Sequence, residues 1–366
     1  MEVGSASGNA AADSLTIASF NIWGIPMASH AVLSRPARCG ELAAAAVLPT
    51  VASEERVVLC FQEAWAFKTG LAAPCIALAR ALERCWPSCF TSAHTQTFNA
   101  RHICSEVLRV NGCCTLLASL LAILTSTCFG CACLRDDQTK EEIVATLKLW
   151  GLPFAVGRHG SSGLSGAPLR KLMDSGLLIV TNVAPVATGF EAFESVGVEG
   201  AANKGFLWAL LPPPSGVGDA LSGGDDLVIT THQHADQPNH NDPGATRAEQ
   251  RAEMVRAVAR LREQYRPRLV LLCGDFNEDA ERREPTCLHA DLTKPPLSFS
   301  RLTECKAAGT CLKDDGSGRT EELDHVYAGV AADGPSLVCE PRPPLRTPWS
   351  DHSLIWVNKI RLEGKV

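Results

Sequence analysis

The segment RLVLLCGDFN, residues 268–277, joins an apolar run to polar side chains. The five consecutive apolar or small residues at 269–273 are typical of a short strand buried on both faces. Gly274 is expected to end this strand, and Asp275 and Asn277 follow, two positions apart. Because alternate side chains of an extended backbone point to the same side, both polar groups are predicted to face one space. An Asx-rich turn that closes a strand explains the same residues, so the segment alone leaves both interpretations open.

The composition is that of a folded protein and not of a general nucleic-acid binder. Of the 366 residues, 46% are hydrophobic and 20% charged, which provides a sizeable core and shows no signature of disorder. The length fits one large domain or two. A formal net charge of −6 argues against binding through a broad basic surface. No stable nucleic-acid partner is therefore expected, although this charge still allows a local basic patch.

The cysteines do not have the arrangement of a secreted, disulfide-rich scaffold. There are 16 of them, but the first basic residue is Arg35, and the N-terminus has no apolar segment of the kind found in signal peptides. The thiols are therefore expected to be reduced, and either buried or facing a membrane, in a cytosolic setting. The Cys113-Cys114 and Cys131-Ala-Cys133 segments lack the paired spacing of a zinc site.

Apolar runs and amphipathic stretches alternate along the chain. Strands are predicted at residues 15–20, 56–61, 152–156, 175–180, 205–211, 226–231, 269–273, 323–327 and 353–357. Helices are predicted at residues 36–47, 71–85, 136–150 and 246–265. Many short strands, several of them joined by loops instead of crossover helices, indicate a mixed, layered α/β domain. Residues 1–13 are small and polar and are expected to form a loose tail.

Polar side chains stand at the ends of five predicted strands. They are Asn21, Glu63, His232, Asp275 with Asn277, and Asp351 with His352. Each group has a plain structural explanation as the start of a turn, a helix cap or a satisfied core histidine. Their joint occurrence at the ends of apolar strands favours one functional site assembled from several loops.

Eight segments, in order along the chain, resemble those of the endonuclease/exonuclease/phosphatase superfamily. They are ASFNIWGIP (18–26), LCFQEAW (59–65), SGLLIVTNVAP (175–185), NKGFLWALL (203–211), ITTHQHAD (229–236), LLCGDFNED (271–279), ELDHVYA (322–328) and WSDHSLIWV (349–357). Within that superfamily, the first and fourth segments look most like those of neutral sphingomyelinases. The resemblance implies a DNase I-like, four-layer α/β sandwich. Two mixed, mainly antiparallel sheets would pack face to face, with helices outside.

The resemblance also implies a Mg²⁺-dependent phosphodiesterase site at the strand ends, with Mn²⁺ or Co²⁺ as substitutes. Glu63 would be the main metal ligand, supported by Asn21. His352 would be the general base that activates the attacking water, and Asp324 would hold its imidazole in the required tautomer. These residue types suit the reaction, because hydrolysis of an anionic phosphodiester needs a hard cation with oxygen ligands and a base with a near-neutral pKa.

Four further roles follow from the same motif matches. Asp275 and Asn277 would face the leaving group and the phosphoryl oxygens. His232 would donate a hydrogen bond to a phosphoryl oxygen. Asp351, beside the general base, would contact the water or a second metal.

Two matches are less complete. Neutral sphingomyelinases commonly pair an aspartate with a lysine five residues later. Here Lys204 is present and is predicted to bind substrate, but position 199 is Glu199, which either keeps the pairing through a longer side chain or loses it. The Arg247 and Gln250 positions match an Arg-x-x-Gln pattern, for which a structural role or support of His232 is expected.

An apolar segment interrupts the family pattern. Residues 110–134 contain no charged side chain, within a cysteine-rich insertion at about 86–136. A single transmembrane span is not expected, because it would separate the strand ends before it from those after it, and one site could not form. An interfacial or re-entrant element that docks on a membrane is favoured, with a buried soluble helix as the alternative. One catalytic domain is predicted for residues 14–366 around this insertion.

The predicted function is hydrolysis of sphingomyelin to ceramide and phosphocholine by direct attack of water, without a covalent enzyme intermediate. The partner would be a phospholipid at a membrane surface, and a cytoplasmic or peripherally membrane-associated location is expected. Two alternatives stay open. One is a nuclease or phosphoinositide phosphatase on the same fold, since a fold does not determine its substrate. The other is a catalytically silent domain that docks on membranes or serves as a scaffold.

Overall fold

The computed structural model describes residues 14–22, 35–52, 55–64, 138–157, 174–195, 203–214, 224–236, 243–278, 288–295, 297–303, 309–312, 319–330, 335–347 and 350–363. The strands are β1 (Leu15–Asn21), β2 (Arg56–Gln62), β3 (Phe154–Val156), β4 (Leu178–Thr181), β5 (Ala187–Ala192), β6 (Gly205–Leu211), β7 (Asp226–His232), β8 (Leu269–Asp275), β9 (Ser300–Arg301), β10 (Cys311–Leu312), β11 (Thr320–Glu321), β12 (Asp324–Val330), β13 (Ser336–Pro341) and β14 (Ile355–Glu363). The helices are α1 (Arg35–Val47), α2 (Gln138–Leu149), α3 (Pro243–Tyr265) and α4 (Leu288–Thr293).

Two six-stranded sheets form the centre of the structure. Their strand orders are β13-β14-β1-β2-β4-β3 and β5-β6-β7-β8-β12-β9. Each sheet has one parallel pair at its centre, β1 with β2 and β7 with β8, and all other neighbouring strands in the two sheets are antiparallel. Because parallel neighbours run in one direction, each sheet presents two carboxyl ends side by side.

Three apolar clusters arrange the sheets and helices in four layers. Val58 of the first sheet and Leu271 of the second belong to the cluster between the sheets. Met254 of α3 packs with the outer face of the second sheet, and Leu147 of α2 with the outer face of the first. The predicted α/β sandwich, with mainly antiparallel sheets face to face and helices outside, is confirmed.

A buried ion pair joins the two sheets at the end where β2 and β7 begin. Asp226 is fully buried at the start of β7, and its carboxylate lies 2.6 Å from Arg56 at the start of β2. Arg268 donates to the same carboxylate at 2.9 Å. Removing one member of such a pair would leave an uncompensated buried charge, so the pair restricts how the two sheets can align.

All nine predicted strands occur, but two details of the segment at 268–277 were wrong. Gly274 does not end β8, which continues through Asp275 with all seven residues buried. Gly274 has φ 144°, and a Cβ there would collide with the carbonyl oxygen of Thr231 on the neighbouring strand. Asn277 has φ 50°, so the backbone is left-handed there, and the alternation of an extended strand does not reach it.

The sequence did not predict β5 and β13. Each is an edge strand of its sheet, and its residues are mostly half-buried or exposed. An edge strand that is only partly covered lacks the apolar run that marks a central strand. The predicted tail at 1–13, the helix at 71–85 and the insertion at 86–136 lie outside the described residues. Within the described ranges, no helix is long and apolar enough to cross a membrane.

Candidate active site

The two central parallel pairs end at the same edge of the sandwich and supply the middle of the site. Asn21 is the last residue of β1, and Glu63 directly follows β2. In the second sheet, His232 ends β7 and lies in register with Asp275 at the end of β8. Asn21, His232 and Asp275 are buried and Glu63 is half-buried. The strand ends point these polar groups toward one another.

Asn21 links the two carboxylates. Its Nδ2 donates to Oε1 of Glu63 at 3.1 Å and to Oδ2 of Asp275 at 2.9 Å. Burial raises the pKa of Glu63, although the hydrogen bond from Asn21 acts in the opposite direction. Burial also raises the pKa of Asp275 to about 7; His352 opposes the rise and Asp324 adds to it. Two carboxylates are therefore held close together where neither is well solvated.

His352 is held by Asp324, its predicted partner. The His352 Nδ1 lies 2.8 Å from Oδ2 of Asp324, and its Nε2 lies 3.7 Å from Oδ2 of Asp275. Burial alone would lower the pKa of His352, but the charges of Asp324 and Asp275 outweigh it and raise that pKa well above the usual value. The Asp324 carboxylate thus accepts a hydrogen bond from Nδ1–H, and Nε2 of His352 faces the centre of the site.

His232 and Lys204 form a second contact in the site. The Lys204 Nζ lies 3.3 Å from Nε2 of His232 and donates to the backbone carbonyl of Gln233 at 2.7 Å. His232 Nε2 also lies 3.8 Å from Oε1 of Glu63. Burial, together with the charge of Lys204, lowers the pKa of His232 well below its usual value, so the ring is neutral beside the lysine.

Asn277 closes the loop that follows β8. Its backbone N–H donates to Oδ1 of Asp275 at 2.8 Å, and its Nδ2 donates to the carbonyl of Gln233 at 3.1 Å. Asn277 therefore fixes one carboxylate oxygen of Asp275 and ties this loop to the one after β7. The predicted neighbourhood of Asp275 and Asn277 is correct, although a left-handed turn, and not strand alternation, produces it.

The donor atoms at this edge fit a hard divalent cation. Glu63 and Asp275 offer carboxylate oxygens, the ligands that Mg²⁺ prefers. The carboxamide of Asn21 has an oxygen besides the Nδ2 that donates to both carboxylates. Both carboxylates have a raised pKa because they are buried, and a cation between them would offset that unfavourable charge. The oxygens of Asp275 and Asp324 and a nitrogen of His352 also lie within 4.8 Å of one another. The residues present are thus suited to metal binding, and the ligand roles of Glu63 and Asn21 stay predictions.

Comparison with solved structures identifies the architecture. The chain is similar to the sphingomyelinase C of Streptomyces griseocarneus, with a TM-score of 0.53 and 15% identity over 94% of this chain and 99% of that one. It is similar to a Staphylococcus aureus beta toxin mutant with bound magnesium ions, at TM-score 0.55 and 15% identity over the same shares. An endonuclease/exonuclease/phosphatase from Beutenbergia cavernae gives TM-score 0.55 and 14% identity over 96% of this chain and 72% of that one. The chain has the endonuclease/exonuclease/phosphatase fold.

At the level of fold, the resemblance noted in the sequence is confirmed. No protein-family model matches the sequence, and no curated protein sequence matches it. The structural similarity shows the endonuclease/exonuclease/phosphatase architecture. At sequence identities of 15% and 14%, it gives no information about the substrate.

In this endonuclease/exonuclease/phosphatase fold, several residues that support the site were not predicted. The Ser350 hydroxyl donates to the Asn21 carbonyl at 2.7 Å and accepts from the His352 N–H at 3.1 Å. The Thr310 hydroxyl accepts the backbone N–H of Asp324 at 2.9 Å. A serine two residues before a histidine is a weak sign of a side-chain turn. Thr310 has no local signal, because its partner is remote in sequence.

The two less complete matches have different outcomes. Gln250 Oε1 accepts the N–H of His234 at 2.9 Å, and Arg247 donates to the His234 carbonyl at 3.1 Å, so both residues stabilise the loop after His232. Glu199 lies outside the described residues, so its pairing with Lys204 stays a prediction. Asp351 is half-buried next to His352 and lies close to Cys311, and its contact with a water or a second metal stays a prediction.

Proposed function

We propose that this protein is a metal-dependent phosphodiesterase of phospholipase-C type that hydrolyses sphingomyelin to ceramide and phosphocholine. The observation that carries the proposal is the placement of the His352–Asp324 pair opposite the oxygen cluster of Asn21, Glu63 and Asp275. A base held by a carboxylate, next to ligands suited to a hard cation, is the combination that hydrolysis of an anionic diester requires.

The metal would be held by Glu63, with Asn21 in support. Bound Mg²⁺ would supply charge neutralisation and Lewis-acid polarisation of the phosphodiester, and Mn²⁺ or Co²⁺ would substitute. Magnesium is favoured because the ligands are oxygen atoms, and a beta toxin structure of the same fold contains bound magnesium ions. The residues of the chain then have to orient the ester, remove a proton from water and stabilise the charge that develops.

His352 takes the proton from the attacking water. Its Nδ1–H is fixed on Asp324, so Nε2 is the atom that would accept the proton. A bound cation would offset the charge of Asp275, which helps to raise the pKa of His352, and would thereby favour the unprotonated ring. The buried carboxylate then stabilises the imidazolium that forms, in the manner of other carboxylate–histidine pairs. Ser350 aids the base by holding its backbone N–H, and the same hydroxyl reaches the Asn21 carbonyl. The base and the metal-binding edge are thereby kept at a fixed separation.

Hydrogen-bond donors of the second sheet would stabilise the charge on the phosphoryl oxygens. Lys204 and His232 lie next to each other at its strand ends, and the lysine is anchored by the Gln233 carbonyl. Asn277 is anchored at the same carbonyl. Together with Asp275 it would face the leaving group. Donors held in place before the reaction stabilise developing charge without reorganising.

Three observations lead us to favour sphingomyelin as the substrate. The ASFNIWGIP and NKGFLWALL segments look most like neutral sphingomyelinases. The latter contains Lys204, which lies in the site next to His232. Structures named as sphingomyelinase C and as beta toxin are among those with the same fold. A membrane-associated location and a phospholipid partner are part of this proposal.

The test is release of phosphocholine from sphingomyelin vesicles in the presence of Mg²⁺ or EDTA. We expect hydrolysis with Mg²⁺, none with EDTA, and loss of activity in His352→Ala. The matched control is His289→Ala, because His289 is exposed on α4 and does not contact the site. Activity that survives both EDTA and His352→Ala would refute the mechanism.

The alternative functions give different results in the same panel. A nuclease would cleave a single-stranded or abasic oligonucleotide and leave vesicles intact. A phosphoinositide phosphatase would release inorganic phosphate from phosphoinositides instead. A silent docking or scaffold domain would hydrolyse none of these substrates and would show no Mg²⁺ binding by calorimetry.

A further inference from the structure

Cys311 lies directly opposite the general base. It forms an isolated antiparallel bridge with His352. The backbone N–H of Leu312 donates to the Asp351 carbonyl at 2.9 Å, and that of Ser353 donates to the Thr310 carbonyl at 2.7 Å. Side chains of directly opposed residues in an antiparallel pair lie on the same face. The backbone therefore places the thiol beside the imidazole, independently of any side-chain contact between them.

Three different metal-binding groups meet at this bridge. A ligand atom from each of Cys311, Asp351 and His352 lies within 4.8 Å of the other two. His352 is buried, whereas Asp351 and Cys311 are half-buried, so the cluster is reachable from solvent. The His352 Nδ1 is directed at Asp324, which leaves Nε2 as the nitrogen for a cation. This imidazole already has the second partner that metal-ligating histidines usually have.

We propose that Cys311, Asp351 and His352 bind a thiophilic divalent cation, Zn²⁺, at a site separate from the oxygen ligands at Glu63 and Asn21. A thiolate, an imidazole and a carboxylate are the three ligand types of zinc, and three protein ligands leave a fourth position for water. Mg²⁺ avoids sulfur ligands, so the thiol distinguishes the two cations. Binding replaces the thiol proton of Cys311 and any proton on Nε2 of His352, and these protons are released to solvent.

Zinc at this position inactivates the hydrolase. Its bond to His352 occupies the lone pair that would take the proton from water, so the base is lost while Glu63 and Asn21 keep their own ion. This consequence rests on the proposed function, whereas the binding of zinc does not. The site makes the protein sensitive to soft metal ions at concentrations far below that of Mg²⁺.

Direct metal binding is the first test. The purified full-length protein is titrated with Zn²⁺ against a chromophoric chelator, and then with Co²⁺ to record the near-ultraviolet thiolate-to-cobalt band. Because the chain has 16 cysteines, the readout is the difference between variants. We expect Cys311→Ser to lose one zinc equivalent and part of the band. The control is Cys339→Ser, another half-buried cysteine, which should retain both.

The size of the effect separates a ligand from a neighbour. Loss of Cys311 should weaken zinc binding at this site by at least about 100-fold, because even outer-shell partners of a metal account for ~10–100-fold. His352→Gln should give a similar loss. Identical zinc stoichiometry and affinity in the parent, Cys311→Ser and Cys339→Ser would overturn the proposal.

The activity measurement follows separately. Each variant is compared with its own zinc-free rate of sphingomyelin hydrolysis. We expect micromolar zinc to inhibit the parent and Cys339→Ser, and Cys311→Ser to need a far higher concentration. Equal sensitivity of all three would overturn the inhibitory role, even where binding differs. A protein that binds zinc through Cys311 but hydrolyses no sphingomyelin refutes the proposed function and leaves the metal site in place.

Discussion

The Nδ1 of His352 lies 2.8 Å from Oδ2 of Asp324, across the interface between the two sheets. His352 precedes β14 of the first sheet, and Asp324 opens β12 of the second. Each sheet therefore supplies one member of the pair, and the His352 imidazole is oriented only when the sheets are packed. The Asn21 bridge between Glu63 and Asp275 crosses the same interface. The site depends on the sandwich as a whole.

Asp324→Asn should impair the orientation of the His352 base without weakening substrate binding. The amide cannot hold the imidazolium, so kcat should fall on the order of 10³-fold or more, with KM little changed. Because Asp324 raises the pKa of His352, its loss should also move the acidic limb of the pH–rate profile to lower pH. Asp291→Asn, on partly exposed α4, is the control. An unchanged pH profile would count against the assigned role.

Glu63→Gln should abolish Mg²⁺ binding without unfolding the protein. Burial raises the pKa of Glu63 in the folded state, so its ionised form opposes folding once the pH exceeds the unfolded value. The variant lacks this charge, and in EDTA near neutral pH it should be at least as stable as the parent. Added Mg²⁺ should raise the melting temperature of the parent only. Thermal unfolding with and without the ion measures both effects, and equal stabilisation of the two proteins would contradict the metal role.

His325 should make the fold sensitive to acid. Burial, with help from Arg301, lowers its pKa to about 4, and its Nε2 lies 3.1 Å from the Glu278 carbonyl. An unfolded histidine titrates near pH 6.5, so the stabilisation is complete above that pH and is lost as the pH falls to about 4. The difference between the pKa values of His325 in the unfolded and folded states corresponds to about 3 kcal/mol of unfolding free energy.

Urea unfolding at several pH values measures this contribution. His325→Gln should flatten the stability profile between pH 6.5 and pH 4, whereas the exposed His289→Gln should leave the slope of the parent unchanged. A slope that is the same in all three proteins would show that His325 does not couple folding to protons.

Gly274→Ala should destabilise the centre of the second sheet. The new Cβ would collide with the carbonyl oxygen of Thr231, and φ 144° is unfavourable for alanine. We expect a loss of about 3 kcal/mol or more, measured by urea unfolding. Gly151→Ala is the control, since Gly151 also has a positive φ of 84° but no atom within 4 Å of the added Cβ. Equal losses in both variants would mean that backbone strain, and not the collision, dominates.

Some features follow from local sequence alone. The runs at Leu15–Asn21, Arg56–Gln62 and Leu269–Asp275 are apolar because those strands are buried on both faces, so their pattern is independent of the partner strand. Their polar ends reveal where the chain leaves the core. The eight segments, in their order along the chain, predicted the fold by resemblance, and the two mixed sheets confirm it.

Other features depend on contacts between segments that are far apart in sequence. Edge strands β5 and β13 are held by one neighbour each and have no apolar run of their own. Ser350, Thr310 and Gln233 serve the site through a hydroxyl or a backbone carbonyl. Ser350 and Gln233 lie within two of the eight segments, but the resemblance gave neither of them a role. The position of Cys311 opposite His352 is likewise a product of strand pairing.

The sequence by itself determined the central strands, the polar groups at their ends and the type of chemistry those groups can perform. These features depend on the hydrophobic pattern and the backbone geometry of a few neighbouring residues, so a short stretch of sequence is enough to predict them. Only the tertiary structure decided which groups meet: Asn21 with Asp275, and His352 with both Asp324 and Cys311. Those contacts depend on the register and packing of two sheets, to which segments far apart in the sequence contribute.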